Sequence, residues 1–198
     1  MGVRLPLLAA ALASTALSLT ALSACSAGAP DTEAPDVTGL TVLDEDPSHE
    51  HVRGPLTYDA APPMGGEHNP NWLACDVYDE MPPLELAVHS LEHGSVWLAY
   101  RPGTAPADVD RLVALREGSV ESGEWVLVAP YEDLRAPVVA TTWGASLAVE
   151  RADDPRLAEF VEAYAGGGQG GEKGVPCASA ENALDVEQGR ALLAAEAG

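Results

Sequence analysis

Between Leu84 and Gly94 the apolar residues recur at helical spacing. On a wheel of about 100° per residue, Leu84, Ala87, Val88 and Leu91 gather on one side, and Gly94 is a natural stop. Glu85, His89 and His93 follow one another at one-turn steps along another flank, with Glu92 beside Glu85 and His89. Downstream, Ser95–Tyr100 reads as a strand and Pro106–Arg116 as a helix ending at Gly118. Glu124–Ala129 and Pro137–Thr142 read as strands, with Ser146–Glu150 a continuation or a further strand. Asp154 as cap and Pro155 in the first turn open a last helix through Tyr164. Upstream, His51–Tyr58 has strand character, and a Pro/Gly-rich stretch runs from Ala61 to Pro83. No internal repeat is visible. This pattern predicts a single small α+β domain, a short mixed sheet of about four strands covered by about three helices. The order strand–helix–strand–helix–strand–strand–helix suits a thioredoxin-like layout, but the absence of Cys-x-x-Cys disfavours a redox role of that kind.

The ends of the chain have a different character. After Arg4 an Ala/Leu-rich run extends from Leu5 to about Ala21 without an acid, a secretory layout too short and small-residued for a membrane span. It closes on Leu22-Ser-Ala-Cys25, which resembles a bacterial lipobox. That reading makes residues 1–24 a signal peptide and Cys25 a lipid-bearing residue on the outer face of the cytoplasmic membrane. The alternative is a plain secretory signal with an incidental cysteine. Residues 25–48, rich in Pro, Asp, Glu and Thr, read as a disordered tether. Residues 49–165 form the domain, and 166–198 a Gly-rich link and a tail of helix formers.

The formal net charge is −21, and removal of residues 1–24 would discard only Arg4 among the charges. So acidic a surface repels nucleic acid and anionic membrane and excludes both as electrostatic partners. Export also simplifies the cysteines. Beyond Cys25 there remain Cys75 and Cys177, and in an oxidising compartment these are expected to form one disulfide. Closing so long a loop stabilises a fold by roughly 4 kcal/mol in the chain-entropy model. Metal ligation by Cys75 is the rival reading.

All five histidines fall between His49 and His93. Imidazole is the commonest protein metal ligand near neutral pH, and histidines at i and i+4 can share one ion. The turn Pro62-Pro-Met-Gly-Gly-Glu-His68 could hold His68, with Met64, against the helix. His49 and His51 alternate along an extended segment; of the two, His51 is the expected further ligand. A solvated polar face is the bland reading of the same residues. Tyr100, Tyr131 and the four tryptophans read as core.

The segments His51–Tyr58, Pro62–Pro70, Trp72–Asp79 and Val88–Gly94 together resemble the Domain of Unknown Function 3105 (DUF3105) family of exported or membrane-anchored bacterial proteins. The likeness runs from about His51 to Cys177. It implies a histidine at each of His51, His68, His89 and His93, a glutamate at Glu92 and a tyrosine at Tyr78, but supplies no activity.

Three function classes follow. The first is transition-metal handling, copper foremost, with His68, His89 and His93 as ligands and Glu92, Glu85 and Tyr78 orienting them by hydrogen bonds. The second is a zinc-dependent hydrolase built on His89-x-x-Glu92-His93, Glu92 activating water and Glu159 or Glu162 nominated as the distant ligand. The third is a non-enzymatic envelope domain whose histidines are structural. The residues lean away from an enzyme without deciding it.

Overall fold

The computed structural model describes residues 37–118, 122–167, 169–172, 174–178 and 183–198, together with Gly2. The expected signal segment and Cys25 lie outside these residues. The chain runs β1 (Leu40–Val42), α1 (Leu84–Glu92), β2 (Val96–Tyr100), α2 (Pro106–Glu117), α3 (Ser122–Trp125), β3 (Val126–Pro130), β4 (Val138–Thr142), β5 (Ala145–Val149), α4 (Arg156–Tyr164) and α5 (Val186–Glu196). The strands form one mixed sheet in the order β1-β5-β4-β2-β3. β2 and β3 pair in parallel across the α2 connection, and the other pairings are antiparallel.

Side-chain alternation along the strands divides the interior in two. Val96, Leu98 and Tyr100 face Leu112 of α2 and Leu157, Phe160 and Tyr164 of α4. Trp97 and Ala99 face Leu86, Val88 and Leu91 of α1, Leu73 and Cys75 of the preceding segment, and Val186 of α5. With helices on both sides, every residue of β2, β3 and β4 is buried, which is why these strands read as unbroken apolar runs.

The α+β class and the small mixed sheet are as the pattern predicts, with five strands and five helices among the described residues. Three local expectations change. His51–Tyr58 is not a strand, because Arg53-Gly54-Pro55 breaks it, Gly54 taking φ +90°. What survives is one parallel bridge between His51 and His68, with Val52 N–H donating to the His68 carbonyl at 2.7 Å and His68 N–H to that of Glu50 at 3.1 Å. The expected tether supplies β1, which borders β5, and Val37 is buried against the sheet. Glu124 and Trp125 end a short helix, so β3 starts at Val126. The parallel strand–helix–strand unit of the thioredoxin-like order therefore falls one step later, at β2–α2–β3.

Two features hold the α1 layer in place. Cys75 and Cys177 form a disulfide, their Cα atoms 5.1 Å apart across 102 residues of sequence, so Cys75 is a sulfur bridge and not a metal ligand. Gly94 ends α1 with φ +101°, and its carbonyl accepts from Gly166 N–H at 3.0 Å. A Cβ at Gly94 would lie 2.3 Å from the Gly167 carbonyl oxygen. Gly94→Ala is expected to lower the unfolding free energy by about 1–3 kcal/mol, the usual cost of a strained backbone position, measured as a lower urea midpoint with an unchanged slope.

Candidate metal centre

Three chain segments converge on the last turns of α1. The helix presents His89, Glu92 and His93, each almost fully buried. The turn before His68 uses its paired glycines at φ +126° and +117°, where a Cβ on Gly65 would strike Pro47 and crowd Trp143. The bridge to residue 68 then sets His51 beside it. The His51 ring centroid lies 4.9 Å from that of His68 and 4.7 Å from that of His89, and the last two are 4.8 Å apart.

The hydrogen bonds fix which nitrogen of each ring is bare. His68 Nδ1 lies 2.7 Å from the Gly66 carbonyl oxygen, and His89 Nδ1 lies 2.7 Å from that of Asn69. A carbonyl only accepts, so both rings carry their proton on Nδ1 and turn an unprotonated Nε2 inward. Among the described residues neither Nε2 has a hydrogen-bond partner, and neither does Glu92 Oε2. Yet His68 Nε2 and Glu92 Oε2 stand 2.8 Å apart. Burial pushes the His68 pKa down, against the pull of Glu92, and the His89 pKa down to about 4, helped by neighbouring His93 and His68. Two buried polar atoms thus face each other at 2.8 Å with no hydrogen bond formed between them, and a cation bound to both would satisfy them.

His51, His68, His89 and Glu92 offer donor atoms all within 4.8 Å of one another, and so do His89, His93 and Glu172. Of the expected ligands, His93 falls in the second group, its Nε2 3.1 Å from Glu172 Oε2 and its pKa lowered by burial. Glu172 itself was not expected. It lies 3.6 Å from His89 Nε2, on the stretch read as a flexible link. There the glycines serve close approach instead: a Cβ on Gly170 would sit 1.8 Å from the Glu92 carbonyl oxygen. The family resemblance, which extends to Cys177, is the one sequence signal covering Glu172.

The surroundings also differ from expectation. His49 Nδ1 bonds Glu92 Oε1, and His49 Nε2 lies 3.0 Å from Asp46 Oδ2. Burial lowers the pKa of this ring, but the hydrogen bonds with Asp46 and Glu92 outweigh it and raise the value. His49 stacks on Trp143 at 4.7 Å, and Trp143 meets His68 edge-on at 5.7 Å. Trp72 lies edge-on to His89 and His93, at 5.4 and 4.8 Å. These two tryptophans wall the site as well as filling the core. Glu85 instead accepts from Leu56 N–H at 2.9 Å, and the Tyr78 hydroxyl donates to the Ala74 carbonyl at 2.7 Å, so each orients backbone and not an imidazole. Met64 is buried in the His68 turn, its carbonyl accepting from Gly144 N–H at 2.7 Å.

The family model described as protein of unknown function (DUF3105) matches residues 49–179. The chain belongs to that family. No curated protein and no solved structure matches it. The matched span of this DUF3105 chain contains every residue of both donor groups.

In the ion-free DUF3105 chain the low pKa values of His68, His89 and His93 have a consequence for stability. These rings stay neutral in the fold where unfolded imidazoles, near 6.5, take up protons. Their contribution is complete above about 6.5 and is lost as pH falls towards the folded values. His49, half-exposed and with its pKa raised, acts in the opposite sense and weakly. Thermal unfolding of chelator-treated protein is therefore expected to show a Tm that falls from pH 7 to pH 4.5. A His89→Gln variant should flatten that slope.

Proposed function

We propose that this protein is an exported lipoprotein that binds one transition-metal ion, copper foremost, for metal handling at the cell surface. The observation that carries the reading is the pair of buried atoms His68 Nε2 and Glu92 Oε2 at 2.8 Å, neither with a hydrogen-bond partner among the described residues, with His89 Nε2 beside them. The inner group His51, His68, His89 and Glu92 would hold the ion. Imidazole nitrogens with one carboxylate are borderline donors that suit Cu(II) or Zn(II), and the Irving–Williams order ranks copper first. Carbonyl anchors on His68 and His89, and the His49 contact to Glu92, are the supports that metal-binding side chains need. Anchoring through a lipid on Cys25 rests on the Leu22-Ser-Ala-Cys25 motif. Among the described residues no helix is long and apolar enough to cross a membrane.

One observation favours the hydrolase reading: His89, His93 and Glu172 form a two-histidine, one-glutamate group of the kind it requires. Glu159 and Glu162, nominated for that third position, lie on α4 across the sheet. Against the reading, Glu92 is bonded to His49 through Oε1 and only 2% exposed, which shuts it away from solvent water. A cavity of about 1010 Å³ opens at the start of α1, lined by Leu84, Tyr100 and Leu193 among others, and no histidine lines it.

Metal analysis of protein purified without a histidine tag, followed by chelator competition with Cu(I), Cu(II) and Zn(II), tests the proposal. Near-stoichiometric copper, lost in His68→Gln and His89→Gln, is expected. His49→Gln should weaken binding about 10–100-fold, the scale for removing a group that orients a ligand. Absence of any specific ion would leave a domain with structural histidines, and tight zinc with indifference to copper would bring the hydrolase forward.

A further inference from the structure

The two donor groups share His89. Its Nδ1 proton is committed to the Asn69 carbonyl, so the ring has one lone pair, on Nε2, and serves one ion at a time. The groups are therefore not two independent sites.

Their construction is also unequal. In the inner group His68 and His89 are anchored by carbonyls, His68, His89 and Glu92 are at most 2% exposed, and Glu92 is held by His49. In the outer group His93 has a buried Nδ1 with no partner among the described residues. Its acid, Glu172, has a side chain 50% exposed and sits on a glycine-bearing strap laid over the end of α1. It is thus a solvent-facing acid 3.6 and 3.1 Å from the Nε2 atoms of two buried imidazoles.

Resting on the metal-binding reading, we propose that His89, His93 and Glu172 are a loading position for the same ion. The ion is passed to the inner group with His89 as the ligand common to both. On arrival it takes Nε2 of His89, Nε2 of His93 and Oε2 of Glu172; His93 gives up its Nε2 proton and takes one on Nδ1, so the ring stays a neutral imidazole. On passage His93 and Glu172 let go, His68, Glu92 and His51 take hold, the bond to His89 Nε2 is kept, and the His93 proton returns from Nδ1 to Nε2. No redox change is involved.

The test uses Cu(II) alone as the probe, with uptake followed in stopped flow by quenching of tryptophan fluorescence. Affinity and stoichiometry come from competition with a chelator. Wild-type protein is expected to saturate at one ion per chain. Glu172→Gln, an exposed and conservative change, is expected to slow uptake and release together by roughly tenfold or more, the scale of losing one supporting contact at a metal, with little change in affinity. His93→Gln should do the same from the buried side. His68→Gln should show the reverse, weaker binding with rapid uptake. Two ions per chain would overturn the shared-ligand passage while leaving metal binding intact. Unchanged uptake in both Glu172→Gln and His93→Gln would also overturn it, since the ion would then enter past His51. A wild-type chain that takes up no copper would remove the metal-binding reading and this inference together.

Discussion

Everything at the end of α1 depends on one electrostatic conflict. A buried imidazole nitrogen without a proton faces a buried carboxylate oxygen, at a distance where each needs a positive partner. Burying polar groups unpaired costs free energy that a small domain can spare only where the site is put to use. Backbone carbonyls make the conflict unavoidable, because by accepting from the outer nitrogens of His68 and His89 they keep the inner ones bare.

The scaffold delivers those groups by ordinary packing. A sheet covered on both faces gives α1 a rigid floor through Trp97, Leu127 and Val139. The segment ahead of α1 is laid against it by single bridges instead of by regular structure. Glu196, in the last turn of α5, accepts from Gly54 N–H at 2.9 Å and from the Asn69 side chain at 2.7 Å. One carboxylate on the final helix thus steadies both the stretch after His51 and the residue whose carbonyl orients His89. The geometry of the donor groups is thus shared among elements far apart in sequence.

Legibility in the sequence followed the range of the interactions. α1, β2, α2, β4, β5 and α4 are set by local periodicity and punctuation, and each lies within a few residues of its expected place. His89, Glu92 and His93 come from one helical wheel, and His68 from a turn whose glycines announce it. What was hidden depends on contacts across the chain. β1 is a strand only because β5 offers it an edge. His49 matters because its ring reaches Glu92 from 43 positions away. Glu172 sits in a run that composition marks as a linker, and only the packing of Gly170 on the Glu92 carbonyl shows that the run is seated. Trp72 and Trp143 were legible as core but not as walls, since one side chain serves both.

The disulfide takes on another meaning beside this geometry. Cys177 follows Glu172 by five positions, and the run bearing Glu172 is fastened at its other end where Gly166 meets Gly94. With the sulfurs joined, the acid hangs from an arc clamped at both feet, and its excursions are short. The foot at Cys177 is also held by Ala178 N–H, which donates to the Glu124 carbonyl at 3.2 Å. The bridge at Cys75 thus ties the run that carries Glu172 to the segment packed against α1, the helix that carries His89.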